Sequence, residues 1–423
     1  MPGTIPTSRD LSQADRLRSA IGCRFRVRPE FLQGQDRSAE GLLDFALWSG
    51  NPDPRYFATA DDPDATPPPT WLAGIVTPYL GAQALYSGRA AARIEYLDRG
   101  PDPARSAADP PFLWLDNLRA FLAGIGFEYH ADPVPGEEIS AEGEVTRVEL
   151  RRSARLGEFA VVYTELTYRD PRGALLALGR GSAILYDVAN AASPASPAPA
   201  AARDGGVRGE PVAKPPETAR EPGAGDAEEG VPEKEPRRTW PEVRVGETLP
   251  LLRRGPLAPA EIAAFFVAPG RSAAADAEIA GARALLATGD YQAARSAYRA
   301  IAVNPAYDFG LPRHTDAATA RSEGAPGAYD VGLQRAAWVA QGLTERLGPH
   351  ARLRSVWVEI RGFVVVGDVV SASATVAEIG TDGGERRVRV VIGMRNQHGR
   401  TVATGEAVLG VGVGPGAVPE LGE

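Results

Sequence analysis

Residues 169–179 read RDPRGALLALG, and residues 395–405 read RNQHGRTVATG. Both stretches have the spacing Arg-x3-Gly-x3-Ala-x-Gly. A glycine-containing turn between two runs that suit half-buried strands is typical of a β-hairpin. The sequence therefore predicts the same closing pair of antiparallel strands twice.

The residues upstream of each stretch also match. GEEISAEGEV (136–145) precedes the first stretch and GDVVSASATV (367–376) precedes the second, each with a Gly-acid start followed by strand-like alternation. The distance from the opening glycine to the turn glycine is similar, from 136 to 173 in one copy and from 367 to 399 in the other. The same order at similar separation indicates an internal repeat.

Helical patterns lie ahead of both sets of strands. SAEGLLDFALW (38–48) begins with a serine that suits an N-cap. GLQRAAWVAQGLTERL (332–347) has its apolar residues largely on one helix face. We predict an α+β fold in which each half is a helical region followed by antiparallel strands.

A change of composition divides the chain. Residues 188–238 are rich in Pro, Ala, Gly and charged residues, and they include no aromatic residue. Such a segment cannot bury enough apolar surface to offset the entropy of ordering it. We predict a disordered linker at 188–238 between folded parts at 10–187 and 239–417.

The bulk properties narrow the classes of function. The chain has 423 residues, 43% of them apolar and 24% charged, a net charge of −8 and a single cysteine. An acidic chain is a poor match for nucleic acid or an anionic membrane. The polar amino-terminal residues and the lack of a long apolar run predict a cytoplasmic protein with no membrane partner.

One stretch carries candidate chemistry. NPAYDFGLPRHTD (304–316) contains His314, one of four histidines, with carboxylates close in sequence. A histidine and a carboxylate fixed on one loop can share the activation of a water molecule. The sequence leaves several candidates for the carboxylate that acts with His314: Asp308, Asp330, Asp290 and Asp316.

The duplicated unit and Pro312-Arg313-His314 resemble the MaoC-like acyl dehydratases, or (R)-specific enoyl-CoA hydratases, with an N-terminal half like that of FAS1-like dehydratases. The resemblance implies two tandem hot-dog domains, each a central helix wrapped by an antiparallel sheet, which form a double hot dog. The family motif is approximately S-G-D-x-N-P-x-H. The first half keeps its register from Ser49 to Tyr56, with Asn51 in the place of the acid and Tyr56 in that of the histidine. The resemblance thus implies an active second half and a first half that has lost catalysis.

The resemblance also implies roles for single residues. His314 takes the position of the family's histidine, and Asp308, displaced by one residue, takes that of the acid. Gly332 takes the place of the glycine whose amide holds the thioester oxygen. The residues expected to contact substrate are Arg313, Tyr329, Arg335 and Tyr56. Neither a metal nor a redox cofactor is implied.

The expected reaction is the reversible hydration of a trans-2-enoyl thioester, carried by CoA or by an acyl-carrier protein. A hot-dog acyl-CoA thioesterase is one alternative. A non-catalytic acyl-binding subunit of a heteromeric dehydratase is the other. The protein is expected to act as a homodimer or with a heteromeric partner. The sequence does not determine the identity of the acyl chain.

Overall fold

The computed structural model describes residues 13–29, 39–51, 70–75, 77–85, 87–98, 118–134, 137–153, 156–187, 240–267, 275–304, 312–346 and 351–411. Three sequence predictions lie outside these residues: the linker at 188–238, the acid Asp308, and Tyr56.

The strands of the described residues form one eleven-stranded sheet. Their bounds are β1 Arg24–Val27, β2 Ile94–Asp98, β3 Leu118–Tyr129, β4 Ser140–Ser153, β5 Gly157–Arg169, β6 Leu175–Asp187, β7 Thr248–Arg254, β8 Ala351–Ile360, β9 Val370–Asp382, β10 Glu385–Asn396 and β11 Thr401–Val411.

The order of the strands reveals the duplication. It is β2-β1-β4-β5-β6-β3-β8-β11-β10-β9-β7. Apart from β2, the order to the left of the β3–β8 junction mirrors the order to its right, with β4, β5 and β6 matching β9, β10 and β11. The predicted internal repeat is therefore present as two sheets of the same topology joined edge to edge.

The two hairpins that suggested the repeat have the same turn chemistry. Arg169 donates from Nη1 to the carbonyl of Gly173, and Arg395 does the same to Gly399, both at 2.8 Å. Both glycines have positive φ, 84° and 71°, which glycine adopts without a steric cost. In both hairpins the strand register shifts immediately before the arginine, between Tyr168 and Arg169 in the first and between Met394 and Arg395 in the second. The hairpin prediction is confirmed in both copies.

The joint between the halves depends on a close approach of β3 and β8, which are antiparallel. The ring of Trp357 on β8 lies over the glycines of β3, so that a Cβ added at Gly124 would lie 2.6 Å from its Cζ2 atom. A side chain at Gly124 would force the two strands apart. The two halves therefore form one continuous sheet.

The α-helices of the described residues are mostly short. Their bounds are α1 Gln13–Arg18, α2 Ala39–Ser49, α3 Trp71–Ile75, α4 Leu80–Ala84, α5 Gly88–Ala91, α6 Pro259–Val267, α7 Asp276–Ala287, α8 Tyr291–Ala302, α9 Ala317–Ser322 and α10 Gly332–Thr344. Two 3-10 helices lie at Trp240–Glu242 and Pro312–His314.

The central helix of the second half is α10, which packs against β8, β3 and β7. Its residues from Leu333 to Thr344 are all buried. The prediction of a helix from 332 is confirmed, and its polar residues are buried together with the apolar ones because neighbours surround the helix on every side. At its carboxyl end the indole of Trp240 donates to the carbonyl of Leu343 at 2.9 Å.

The sheet of the first half packs against a shorter helix than the sheet of the second half does. This helix is α4, where the Thr164 hydroxyl donates to the carbonyl of Pro78 at 2.5 Å. The helix predicted at 38–48 is α2, whose main contacts are helices of the second half, α6, α7 and α8. Among the described residues, no helix combines the length and the apolar character needed to cross a membrane.

Candidate active site

His314 ends a short 3-10 turn that its neighbours fix locally. Proline at position 312 suits the start of a helical turn, and its carbonyl accepts from the amides of Thr315 and Asp316. Asp316 then caps α9 through a side-chain bond from the Thr319 amide at 2.6 Å. The histidine is thus placed between two turns that are specified by local sequence.

The imidazole of His314 has a defined orientation. Its Nδ1 lies 2.7 Å from the carbonyl oxygen of Tyr329, and its ring is tilted against the Tyr329 ring at 4.6 Å between centroids. Because a carbonyl oxygen only accepts, Nδ1 carries the proton and Nε2 has the lone pair. The residue as a whole is 8% exposed. This geometry leaves Nε2 as the basic atom.

Burial keeps that imidazole neutral. It lowers the pKa of His314 from 6.5 to about 4, and the charge of Arg313 acts in the same direction, while the hydrogen bond to the Tyr329 carbonyl opposes the shift. The ring therefore carries no charge at neutral pH. A neutral imidazole can accept a proton, which a general base requires.

Gly332 is the first residue of α10, and Val331 is its N-cap. A Cβ added at Gly332 would lie 2.5 Å from Cδ2 of Leu122 on β3, so glycine lets the helix start close to the first half. The first amides of a helix have no partner within the helix, and the helix dipole favours negative charge beside them. A developing oxyanion matches that environment.

Three of the candidate carboxylates have other partners. Asp290 caps α8 by accepting from the Ala293 amide, and Asp316 caps α9. Asp330 is buried and binds Arg335 through both oxygens, with Oδ2–Nε at 2.5 Å and Oδ1–Nη2 at 2.6 Å. Burial raises the pKa of Asp330, and the guanidinium of Arg335 counters that shift.

Arg335, which the sequence predicts to contact substrate, is buried against other parts of the protein. Its residue exposure is 2%, and its Nη1 donates to the carbonyls of Gly362 and Val402. The guanidinium is therefore occupied by protein groups. In this position the guanidinium is not exposed to a CoA phosphate in solution.

Arg313 lies nearer the surface and joins a cluster that spans both halves. Its Nε is 3.1 Å from Oε2 of Glu323, and Nε of Arg119, on β3, is 3.7 Å from the other oxygen of the same carboxylate. The Tyr186 hydroxyl, on β6, donates to the Glu323 carbonyl at 2.8 Å. Sequence reasoning missed Glu323 and Arg119, because no local pattern around either residue marks it.

Aromatic rings pack beside the histidine. The ring of Tyr329, expected to contact substrate, is 4.9 Å from that of Phe363 and 6.2 Å from that of Phe121 on β3. Phe121 also stacks on Tyr186 at 5.0 Å. Burial raises the pKa of Tyr329 to about 12, so its hydroxyl stays protonated at neutral pH. The first half therefore contributes Phe121 and Tyr186 to the aromatic cluster beside His314.

The start of the first-half motif register, Ser49-Gly50-Asn51, lies at the end of α2 among charged residues of the second half. Arg254 donates from Nη2 to the carbonyl of Gly50 at 2.7 Å. Arg295 donates to Oε1 of Glu261 at 2.7 Å and to the carbonyl of Leu47. Among the described residues, no three His, Cys, Asp or Glu side chains come together as metal ligands.

Comparison with known proteins identifies the architecture. No protein-family model matches the sequence. A solved structure titled "MaoC-like dehydratase" matches with a TM-score of 0.50 and 15% identity over 94% of this chain and 99% of the other. A second, a MaoC-like dehydratase from Phytophthora capsici, has a TM-score of 0.48 and 10% identity over 96% of this chain and 100% of the other.

The chain has the double hot-dog fold of a MaoC-like dehydratase. The mirrored strand order about the β3–β8 junction and the enclosed helix α10 are the features that carry this conclusion. The resemblance inferred from the sequence is confirmed at the level of the fold.

One curated protein is also similar, a "Probable enoyl-CoA hydratase alpha subunit" from Thermomonospora curvata. It is 33% identical over 82 residues, which make up 17% of this chain and 26% of that protein. The chain thus matches about a quarter of the length of this relative.

In this double hot dog, the described groups around His314 come from both halves. The second half provides the imidazole, the Tyr329 carbonyl and the amino end of α10. The first half provides Phe121 against Tyr329, Leu122 beside Gly332 and Arg119 beside Glu323. Sequence reasoning missed the carbonyl of Tyr329 and the Asp330–Arg335 pair. The only signal for the pair was the presence of Asp330 among the nearby carboxylates.

Proposed function

We propose that the protein is a hydro-lyase that reversibly hydrates a trans-2-enoyl thioester to the 3-hydroxyacyl thioester. The observation that carries the proposal is the hydrogen bond from Nδ1 of His314 to the Tyr329 carbonyl, which leaves a neutral basic Nε2. The likeness of the fold to a MaoC-like dehydratase supports it, as does the name of the Thermomonospora curvata relative, an enoyl-CoA hydratase alpha subunit. Fold alone does not imply function, so the imidazole is central to the proposal.

In the proposed hydration, Nε2 of His314 takes a proton from water as the water oxygen bonds to the β-carbon of the enoyl group. The electron pair of the double bond moves towards the thioester carbonyl, whose oxygen gains negative charge. The Gly332 amide, at the amino end of α10, stabilises that charge. An acid, for which Asp308 is our candidate, delivers a proton to the α-carbon, and the proton taken up by His314 is then returned to that acid, so that both groups regain their starting states. The net result is addition of one water, and dehydration is the reverse.

We assign Arg313 to the CoA moiety, because it is partly exposed and its charge suits a phosphate. Tyr329 is assigned to the wall of the acyl site, beside the imidazole. Tyr56 keeps its sequence-based assignment to substrate binding. The sequence-based expectation that no metal or redox cofactor takes part is retained, and so is a cytoplasmic location.

The test is an assay of the purified full chain with trans-2-enoyl-CoA substrates of increasing size. We expect loss of the conjugated-thioester absorbance together with a product heavier by one water. Release of free CoA without that product would identify a thioesterase instead. Tight binding of acyl-CoA without turnover by any enoyl substrate would overturn the proposal in favour of an acyl-binding subunit.

That second function has one specific observation in its favour, the word "subunit" in the name of the Thermomonospora curvata protein. A heteromeric partner is therefore part of the alternative. Sedimentation of the purified chain distinguishes a self-associating enzyme from a lone subunit.

A further inference from the structure

The Asp330–Arg335 ion pair lies at the start of the central helix, beside the residue that binds His314. Both side chains are buried, with 0% and 2% of their surfaces exposed. The bidentate geometry holds the carboxylate and the guanidinium in one plane. Removing one partner would leave the other as an uncompensated buried charge.

Arg335 extends this contact to the sheet. Its Nη1 donates to the Gly362 carbonyl at 2.6 Å and to the Val402 carbonyl at 2.7 Å. Gly362 follows β8 and Val402 lies in β11. One side chain thus ties the amino end of α10, the loop after β8 and a central strand together.

The peptide next to Asp330 is held by a short antiparallel pairing. The Asp330 amide donates to the Val364 carbonyl at 3.0 Å, and the Val366 amide donates to the Ala328 carbonyl at 2.9 Å. Tyr329 faces Val365 between these two bonds. In such a pair the middle residue directs its own carbonyl to the opposite edge. There it meets Nδ1 of His314.

We propose that Asp330 and Arg335 are positioning residues for His314: their ion pair fixes the peptide whose carbonyl accepts the Nδ1 proton, and so holds the imidazole in the tautomer with a basic Nε2. The assignment of a catalytic purpose to this tautomer rests on the proposed function. The tautomer itself does not.

Stability alone is a poor explanation of this pair. Replacing a buried ion pair with apolar residues of similar volume is often neutral or stabilising. A pair that orients a functional group would instead affect that group when it is replaced. The charged groups near the imidazole also include Arg313 and Glu323, which the variants below leave unchanged.

The experiment is a measurement of the His314 tautomer by NMR on the full chain labelled with 15N-histidine. A His314→Gln variant assigns the signal among the four histidines. In the wild type we expect protonated Nδ1 and unprotonated Nε2 at neutral pH. In the apolar double variant Asp330→Leu/Arg335→Met we expect the other tautomer to become populated and kcat to fall by about 10–100-fold, with KM little changed.

The matched control is Asp44→Leu/Arg283→Met. This buried pair, with Oδ2–Nη2 at 2.5 Å, joins α2 to α7 and includes none of the groups around His314. The Asp44/Arg283 variant should alter the melting temperature without changing the tautomer of His314. If the Asp330/Arg335 variant does not fold, Arg335→Lys keeps the charge without the fork of donors, and it should show the same tautomer change in part.

A wild type with its proton on Nε2 would overturn the proposal. So would folded Asp330/Arg335 variants, the Arg335→Lys variant included, in which tautomer and kcat match the wild type. A changed tautomer in a protein whose wild type hydrates no enoyl thioester would support the positioning role and reject the proposed function.

Discussion

His314 and Tyr329 are joined at two points, by the 2.7 Å bond from Nδ1 to the Tyr329 carbonyl and by the contact of their rings at 4.6 Å. The first contact selects the tautomer and the second limits rotation of the imidazole. Together they orient the imidazole of His314 in a buried position.

His314→Gln should lower turnover of the enoyl thioester by about 10²–10⁴-fold, the range that general acid–base catalysis contributes. The glutamine amide can still donate to the Tyr329 carbonyl, but it does not accept a proton at neutral pH. Steady-state kinetics measure the loss. His398→Gln, at an exposed turn between β10 and β11, is the control and should keep full activity. An active His314→Gln enzyme would contradict the assignment.

Stability should depend on pH through His314 in a defined window. The pKa is about 4 in the folded protein and 6.5 is the ordinary value. Between these values the unfolded chain binds a proton that the folded protein does not, so the free energy of unfolding rises with pH. The rise amounts to about 3 kcal/mol from pH 4 to 6.5, with no further change above it. Denaturant unfolding of the wild type and of His314→Gln at several pH values measures this pH dependence, which His314→Gln should lose. The control His398→Gln should keep the pH dependence of the wild type.

Gly332→Ala should lower kcat by about tenfold or more, because the new methyl group would overlap the Leu122 side chain and displace the amino end of α10. Overpacking of this kind also destabilises by about 1–3 kcal/mol. Leu122→Ala removes the nearest atom, Cδ2, and leaves only the Cβ at 3.1 Å, so adding it to Gly332→Ala should restore much of the activity. If the double variant is no better than Gly332→Ala, the close approach of helix and strand is not the cause.

Arg313→Ala should raise KM for a CoA thioester by about tenfold if its charge contacts a phosphate. The same variant should leave KM unchanged for the corresponding pantetheine thioester, which lacks the nucleotide. Arg321→Ala, an exposed arginine on α9, is the matched control and should affect neither substrate. Equal effects on both substrates would point to the contact with Glu323 instead.

Arg295→Met should destabilise the protein by about 3–5 kcal/mol, since it breaks a buried ion pair and leaves Glu261 with fewer cations. The neighbouring arginines, Arg295 foremost, hold the pKa of Glu261 below its usual value against the effect of burial. Its contribution to stability is therefore present above the ordinary pKa of 4.5 and is lost as the pH falls below it. Thermal melts at several pH values test this, and Arg299→Met, whose side chain is 45% exposed, should cost less.

The sequence by itself determined the elements whose specification is local. The spacing of Arg169 and Gly173, repeated at Arg395 and Gly399, predicted two equal hairpins because the arginine and the glycine bind within one turn. Pro312 and Asp316 specify the turn around His314 for the same reason. The repeat then led to the duplicated fold.

Only the tertiary structure decided the partners of these residues. Asp330 was a candidate acid until Arg335 proved to bind it, and Arg335 reaches Val402, 67 residues away, only once the sheet has closed around α10. The burial of α10 on every side and the approach of Leu122 to Gly332 likewise require both halves. Periodicity and turn chemistry report on a residue's own backbone neighbourhood. The orientation of His314 depends on contacts that the assembled sheet creates.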